Sequence, residues 1–77
     1  MDKKRSVLVN GRKTSITIED AYWRALREIS IARQQTMNAI ISEIDRSRTE
    51  RTLSSAVRVW LLEHFRALAA PRPAPAA

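Results

Sequence analysis

Three polar side chains, Lys13, Ser15 and Thr17, occupy every second position near the start of the chain. A lysine ammonium can donate to the O6 and N7 atoms of guanine, and serine and threonine hydroxyls can donate to or accept from any base. These residue types at this spacing would suit hydrogen bonding to the base edges of duplex DNA, without predicting which bases. The alternative interpretation is an ordinary solvated face of a strand.

The segment that carries these side chains, residues 12–18, is predicted to be a β-strand. The intervening residues Thr14, Ile16 and Ile18 are β-branched, and the strict alternation indicates one wet face and one buried face. Everything downstream looks helical, and a lone strand cannot satisfy the hydrogen-bonding groups of its own edges. We therefore expect this strand to pair with the same strand of a second copy, which gives a basic two-stranded ribbon on a helical homodimer.

A second candidate partner for this strand lies upstream of it. Asn10-Gly11 between two β-rich segments is the strongest short-range signature of a two-residue type I′ hairpin. In that register Leu8 lies opposite Lys13, and Val7 and Val9 share the buried face of the sheet. The alternative is that residues 1–11 form a disordered basic arm that leads into the strand.

The size of the chain, 77 residues, allows one small domain. A core this small rarely stabilises a fold by more than about 3–5 kcal/mol, so such chains usually need disulfides, a metal or a partner subunit. With no cysteine and a single histidine, His64, disulfides are excluded, and neither a metal site nor another cofactor is expected. Self-association remains, and the lack of cysteine fits a cytoplasmic location.

The net charge of +6 and the pI near 11.1 favour a polyanionic partner. The excess positive charge lies before and on the predicted strand. We expect double-stranded DNA as the partner, with Lys3, Lys4, Arg5 and Arg12 at phosphates, although a terminus that merely aids solubility is the alternative. No apolar run approaches the roughly 20 residues that cross a bilayer, so no membrane partner is expected. Surface binding through an amphipathic helix is a weaker rival.

Three amphipathic helices are predicted after the strand. The first begins near Glu19 and ends around Arg33–Gln35. The second follows Thr36, whose hydroxyl can cap its open amides. The third runs from about Leu53 to Leu68 and is capped by Thr52 or Ser54. Residues 45–51 are polar and form a linker or a frayed helix end, and residues 69–77, rich in proline and alanine, should be disordered.

The apolar positions of these elements predict the core of the dimer, which comprises Ile16, Ile18, Trp23, Leu26, Ile40, Ile41, Ile44 and Trp60. No catalytic residues are predicted. The sequence has no nucleophile paired with a base, no glycine-rich phosphate loop and no carboxylate pair suited to a pocket. An enzyme is therefore not expected.

A polar-alternating strand, a helix, a short turn and a threonine-capped second helix resemble the ribbon–helix–helix superfamily of DNA-binding repressors, of the Arc and MetJ type, over residues 12–45. The run Thr-Ser-Ile-Thr-Ile-Glu-Asp-Ala-Tyr-Trp and the later Leu-Ser-Ser-Ala-Val-Arg-Val-Trp-Leu-Leu-Glu-His-Phe segment are similar to a bacterial subfamily of small stand-alone members. The resemblance implies an intertwined, mainly α homodimer whose paired strands enter the major groove. It places Lys13, Ser15 and Thr17 at base edges, and Thr36, Met37 and Asn38 at a phosphate.

Two features depart from the simple superfamily pattern. Hairpins from two copies would form a four-stranded sheet about 15–20 Å wide, against a major groove about 12 Å wide, so the outer strands would stay clear of the DNA or the sheet would serve another purpose. The third helix, residues 53–68, enlarges the dimer core or docks on a partner protein. The leading hypothesis is a sequence-specific transcriptional regulator, most simply a repressor, with dimers that could assemble further on DNA. The alternative is an antitoxin or adaptor whose carboxy-terminal helix binds another protein, with DNA binding secondary.

Overall fold

The computed structural model describes residues 2–69, with side chains from residue 4 onward. Two antiparallel strands, β1 (Asp2–Val9) and β2 (Arg12–Glu19), precede three helices, α1 (Asp20–Arg33), α2 (Met37–Ser47) and α3 (Leu53–Ala69). This order confirms a mainly helical fold with an amino-terminal ribbon and an additional third helix. The proline-rich tail that was predicted to be disordered lies, from residue 70 on, outside the described residues.

The turn Asn10-Gly11 joins the two strands into a hairpin. Both residues have positive φ, 50° and 79°, as a type I′ turn requires. Leu8 lies opposite Lys13 and Val7 opposite Thr14, so the predicted hairpin and its register are confirmed. β2 is therefore not a lone strand, because one of its edges pairs with the upstream segment of the same chain.

The hairpin lies along α2, which contacts the outer edge of β1 at its turn end. The Asn10 amide donates to Ser42 Oγ over 3.2 Å, and the Asn10 Nδ2 atom donates to Asp45 Oδ2 over 3.0 Å. Further along the strand, the Leu8 amide donates to Asn38 Oδ1 over 3.3 Å. These bonds satisfy groups of Leu8 and Asn10 that an exposed edge would leave open.

One apolar core lies between the inner face of the hairpin and the three helices. Its buried members are Val7, Val9, Ile16, Ile18, Leu26, Ile29, Ile40, Ile41, Ile44, Ala56, Val57 and Leu61. Of the predicted core residues, Trp23 and Trp60 are only partly buried and pack at the margin, because each helix can bury only one stripe. The core closes within a single chain, and α3 is part of it.

The helix ends follow from local chemistry. Thr36 Oγ1 accepts from the Ala39 amide over 3.0 Å, which confirms Thr36 as the N-cap of α2. Thr52 Oγ1 accepts from the Ser55 amide over 3.1 Å, so Thr52 rather than Ser54 caps α3. α1 ends where Gln34 adopts a left-handed conformation. None of the helices within residues 2–69 is long and apolar enough to cross a bilayer.

Candidate nucleic-acid interface

The outer face of the hairpin carries the side chains predicted to contact bases. Lys13, Ser15 and Thr17 are exposed, whereas Ile16 and Ile18 of the same strand are buried. The pleat therefore presents all three polar side chains to solvent in one row. Contact between this row and DNA bases stays a prediction.

β1 adds a second row to this face. Its exposed residues are Lys4, Ser6 and Leu8, which lie opposite Thr17, Ser15 and Lys13 respectively. Lys4 is predicted from the sequence to contact a phosphate, whereas Ser6 and Leu8 have no predicted contact with DNA. The signal was present, because the Asn10-Gly11 register that buries Val7 and Val9 must turn their neighbours outward.

The amino end of α2 lies beside this face. Asn38 uses its Oδ1 atom to hold the Leu8 amide, and Thr36 uses its hydroxyl on the helix itself. The backbone amides of Met37 and Asn38 precede the first intrahelical hydrogen bond and have no partner among the described residues. Since Lys13 and Asn38 line one shallow cleft, the structure brings a predicted base-contacting residue next to the predicted phosphate site.

The other predicted phosphate contacts do not lie together. Lys4 is on the outer face, and Arg12 is exposed beside the turn. Arg5 lies on the inner side, where its Nη2 atom is 3.1 Å from Asp20 Oδ1 and its guanidinium is 4.4 Å from the centre of the Trp23 ring. Contact between Arg5 and a phosphate would have to break this ion pair, which makes Arg5 the least available of the set. The side chain of Lys3 lies outside the described residues.

α3 contacts the outer edge of β2 through four residues that we call the edge latch: Thr17, Glu19, Ser54 and Arg58. Ser54 Oγ accepts from the Thr17 amide over 3.0 Å, and Arg58 Nη2 donates to the Thr17 carbonyl over 3.2 Å. Arg58 Nε also donates to Glu19 Oε1 over 3.0 Å. The pKa of the Glu19 carboxyl lies below its ordinary value, first because the carboxylate accepts from its own backbone amide and second because it accepts from Arg58.

Known domains share this arrangement, in which a hairpin with a polar, basic outer face is followed by a threonine-capped second helix. A model of the ribbon-helix-helix domain matches residues 2–65. The chain belongs to this family. The match confirms the resemblance seen in the sequence, and it includes β1 and most of α3. Ribbon-helix-helix domains are generally DNA-binding regulators. No curated protein and no solved structure matches the chain.

Proposed function

We propose that this ribbon-helix-helix protein is a sequence-specific regulator of transcription, most simply a repressor, that binds duplex DNA as a homodimer. Two β2 strands, one from each copy, form an antiparallel ribbon that enters the major groove. The observation that carries the proposal is the exposed row Lys13, Ser15 and Thr17 on β2, a strand whose outer edge is open at Lys13 and Ser15. In this arrangement the row contacts base edges, and the amides of Met37 and Asn38 contact a phosphate.

The open edge of β2 supports the dimer. In an antiparallel ladder the backbone groups of successive residues point alternately toward and away from the paired strand. At Lys13 and Ser15 they point away from β1, and within residues 2–69 they have no hydrogen-bond partner. An unpaired edge of this kind is a template for another strand, and the same strand of a second copy satisfies both at once. The edge of β1 is less suited, because α2 already holds the amides of Leu8 and Asn10 there.

Selection of DNA from a random pool with the purified protein tests the function directly. A two-fold symmetric enriched motif is expected, because two identical strands read it in opposite directions. The logarithm of the affinity for that motif should fall linearly with the logarithm of the salt concentration, since basic side chains displace counterions from phosphates. Failure to enrich any motif, together with an affinity that salt does not change, would refute the proposal.

A matched pair of variants separates base contacts from general charge. Lys13→Ala should weaken binding to the selected motif more than binding to unrelated DNA, whereas Arg66→Ala should affect neither appreciably. Arg66 is an equally basic residue, but it is exposed in the last turns of α3 and far along the chain from the hairpin. Equal losses for the two variants would show that Lys13 supplies only charge.

One observation favours a second candidate function. Leu62, Phe65 and Leu68 of α3 are 57%, 43% and 72% exposed, and the first two border an apolar cavity of about 390 Å³ together with Tyr22. Exposed apolar side chains grouped on one helix suit a protein partner, as in an antitoxin or adaptor. Co-purification of a small protein from the native host, lost on Leu62→Asp and retained on Arg66→Ala, would favour this alternative.

A further inference from the structure

The edge latch lies on the same strand edge that the proposed dimer uses. Val9 and Arg12 close the two-residue turn as a hydrogen-bonded pair, so the odd-numbered residues of β2 turn their backbone groups away from β1. At Thr17 the amide and the carbonyl are both already bonded to α3. On this edge, among residues 2–69, Lys13 and Ser15 are therefore the residues of β2 that offer free backbone groups to a second strand.

Two antiparallel registers compete for this short edge, and both keep the polar row on one face. If the two-fold axis passes through Ser15, Lys13 pairs with Thr17 of the second copy, and the ladder needs the groups that α3 already holds. If the axis passes through Thr14, Lys13 pairs with Ser15 of the second copy, and Thr17 faces only the turn at Gly11. The second register needs no hydrogen bond from Thr17.

Counting hydrogen bonds decides between the two registers. Moving the axis from Thr14 to Ser15 adds a single hydrogen-bonded pair to the shared ladder. The same shift breaks both bonds of Thr17 to α3 in each copy, so it loses more hydrogen bonds than it gains. On the basis of the dimer in the proposed function, we propose that the edge latch fixes the register of the shared ribbon. The two-fold axis then lies at Thr14, and the hydrogen bonds between the two β2 strands are confined to Lys13 and Ser15.

The space beside β2 agrees with this register. A cleft of about 340 Å³ is lined by residues 12–15 of β2 and by residues of α2 and of the linker before α3, including Arg51 and Thr52. Along β2 its lining reaches Ser15 and does not include Thr17, and Ser54 of the edge latch borders it. The free edge and the free space therefore coincide along the same short part of β2.

The register changes what the ribbon can recognise. At about 3.3 Å per residue, an axis at Thr14 places the two Lys13 residues about 7 Å apart along the ribbon and the two Thr17 residues about 20 Å apart. An axis at Ser15 would place both pairs about 13 Å apart. The latch thus gathers the two lysines at the centre of the ribbon, and the selected motif should have its lysine-dependent positions near its two-fold axis.

Single cysteines distinguish the registers, and the chain has no native cysteine to interfere. Directly opposed residues have Cβ atoms about 4.5–5.5 Å apart, close enough for a disulfide after slight adjustment, whereas diagonal neighbours about 7–8 Å apart are too distant. Under mild oxidation of the full chain, Thr14→Cys should form a covalent dimer and Ser15→Cys should not. Removing the latch with Ser54→Ala and Arg58→Met should allow Ser15→Cys to cross-link, while Arg66→Ala should leave the original pattern unchanged.

The outcomes separate this inference from the dimer on which it rests. Cross-linking of Ser15→Cys in the chain with an intact latch would overturn the register and leave the dimer standing. A dimer in sedimentation that cross-links through neither cysteine would overturn the register along with pairing through β2. If the protein stays monomeric at micromolar concentration, with and without its selected DNA, both the proposed dimer and its register are refuted.

Amide hydrogen exchange tests the register without any substitution. In the wild-type protein the Thr17 amide is bonded within its own chain, so its protection should not depend on protein concentration. The amides of Lys13 and Ser15 should gain protection as dimers form. A parallel rise in protection at Thr17 would show that the latch opens on dimerisation, which contradicts the inference.

Discussion

Replacing Gly11 by alanine isolates the contribution of the hairpin turn to stability. Gly11 has φ of +79°, and a Cβ atom added there meets no atom within 4 Å. The substitution therefore acts through the backbone. An L-residue in the left-handed region destabilises the folded state by about 1–2 kcal/mol. Alanine also reduces the conformational entropy of the unfolded chain, which offsets part of this destabilisation. We expect Gly11→Ala to lower the free energy of unfolding by about 1 kcal/mol. For a domain of this size that corresponds to a fall in Tm of about 4–8 °C.

Urea and thermal unfolding of Gly11→Ala and Gly11→Asn, followed by far-ultraviolet circular dichroism, measure this cost. Asparagine tolerates positive φ better than alanine, so Gly11→Asn should retain more of the wild-type stability. The order wild type, asparagine, alanine is the signature of a type I′ turn. If alanine proves as stable as glycine, residues 10–11 do not form this turn in solution, and the opposition of Leu8 to Lys13 loses its basis.

Three further predictions concern the core, the latch and the outer face. Leu61→Ala should lower the free energy of unfolding by about 2–5 kcal/mol because Leu61 is buried, whereas Leu62→Ala on the exposed side should change it little. If the two variants unfold at the same urea concentration, α3 lies outside the core. Because the pKa of Glu19 is lowered in the folded state, its carboxylate stabilises the fold at pH values above its ordinary pKa of 4.5. The difference in the free energy of unfolding between wild type and Glu19→Gln should therefore shrink as the pH falls below about 4.5. A difference independent of pH would contradict the ion pair with Arg58. Lys13→Ala with Thr17→Ala should reduce discrimination between DNA sequences in competition assays while sedimentation still shows a dimer; dissociation would mean that these side chains hold the two copies together.

Local signals in the sequence were sufficient for the framework of the fold. The Asn10-Gly11 pair requires positive φ at two successive positions, which few residue types permit, so it specifies both the turn and the strand register. Thr36 is similarly specific, because a short hydroxyl side chain before an apolar stripe suits the open amides of a helix start. Each of these features depends on neighbours within a few residues along the chain.

The contacts that surround the candidate interface could not be predicted in this way. The bonds of Ser54 and Arg58 to Thr17 join residues far apart in sequence, and they depend on how α3 packs against the sheet. Sequence alone left Thr52 and Ser54 as alternative caps of α3, and the structure assigns the cap to Thr52. Arg5 was assigned to phosphate because of its basic neighbours, but its position on the inner side of the hairpin, beside Asp20, depends on the hairpin register and on the packing of α1.

The hairpin also resolves how a sheet wider than the major groove could lie against DNA. With strands about 4.8 Å apart, each β2 lies about 2–3 Å from the two-fold axis of the proposed ribbon, and each β1 lies about 7 Å from it. A groove about 12 Å wide reaches only about 6 Å to either side, so β1 lies at its walls, where the phosphates are. Lys4 on the outer face of β1 should therefore contact a phosphate, whereas Lys13 on β2 should contact a base. Lys4→Ala should weaken binding to all DNA sequences alike and reduce the slope of log affinity against log salt by about one. A change in the selected motif upon Lys4→Ala would instead place β1 inside the groove, and the two-fold axis would then have to lie closer to β1 than the open edge of β2 allows.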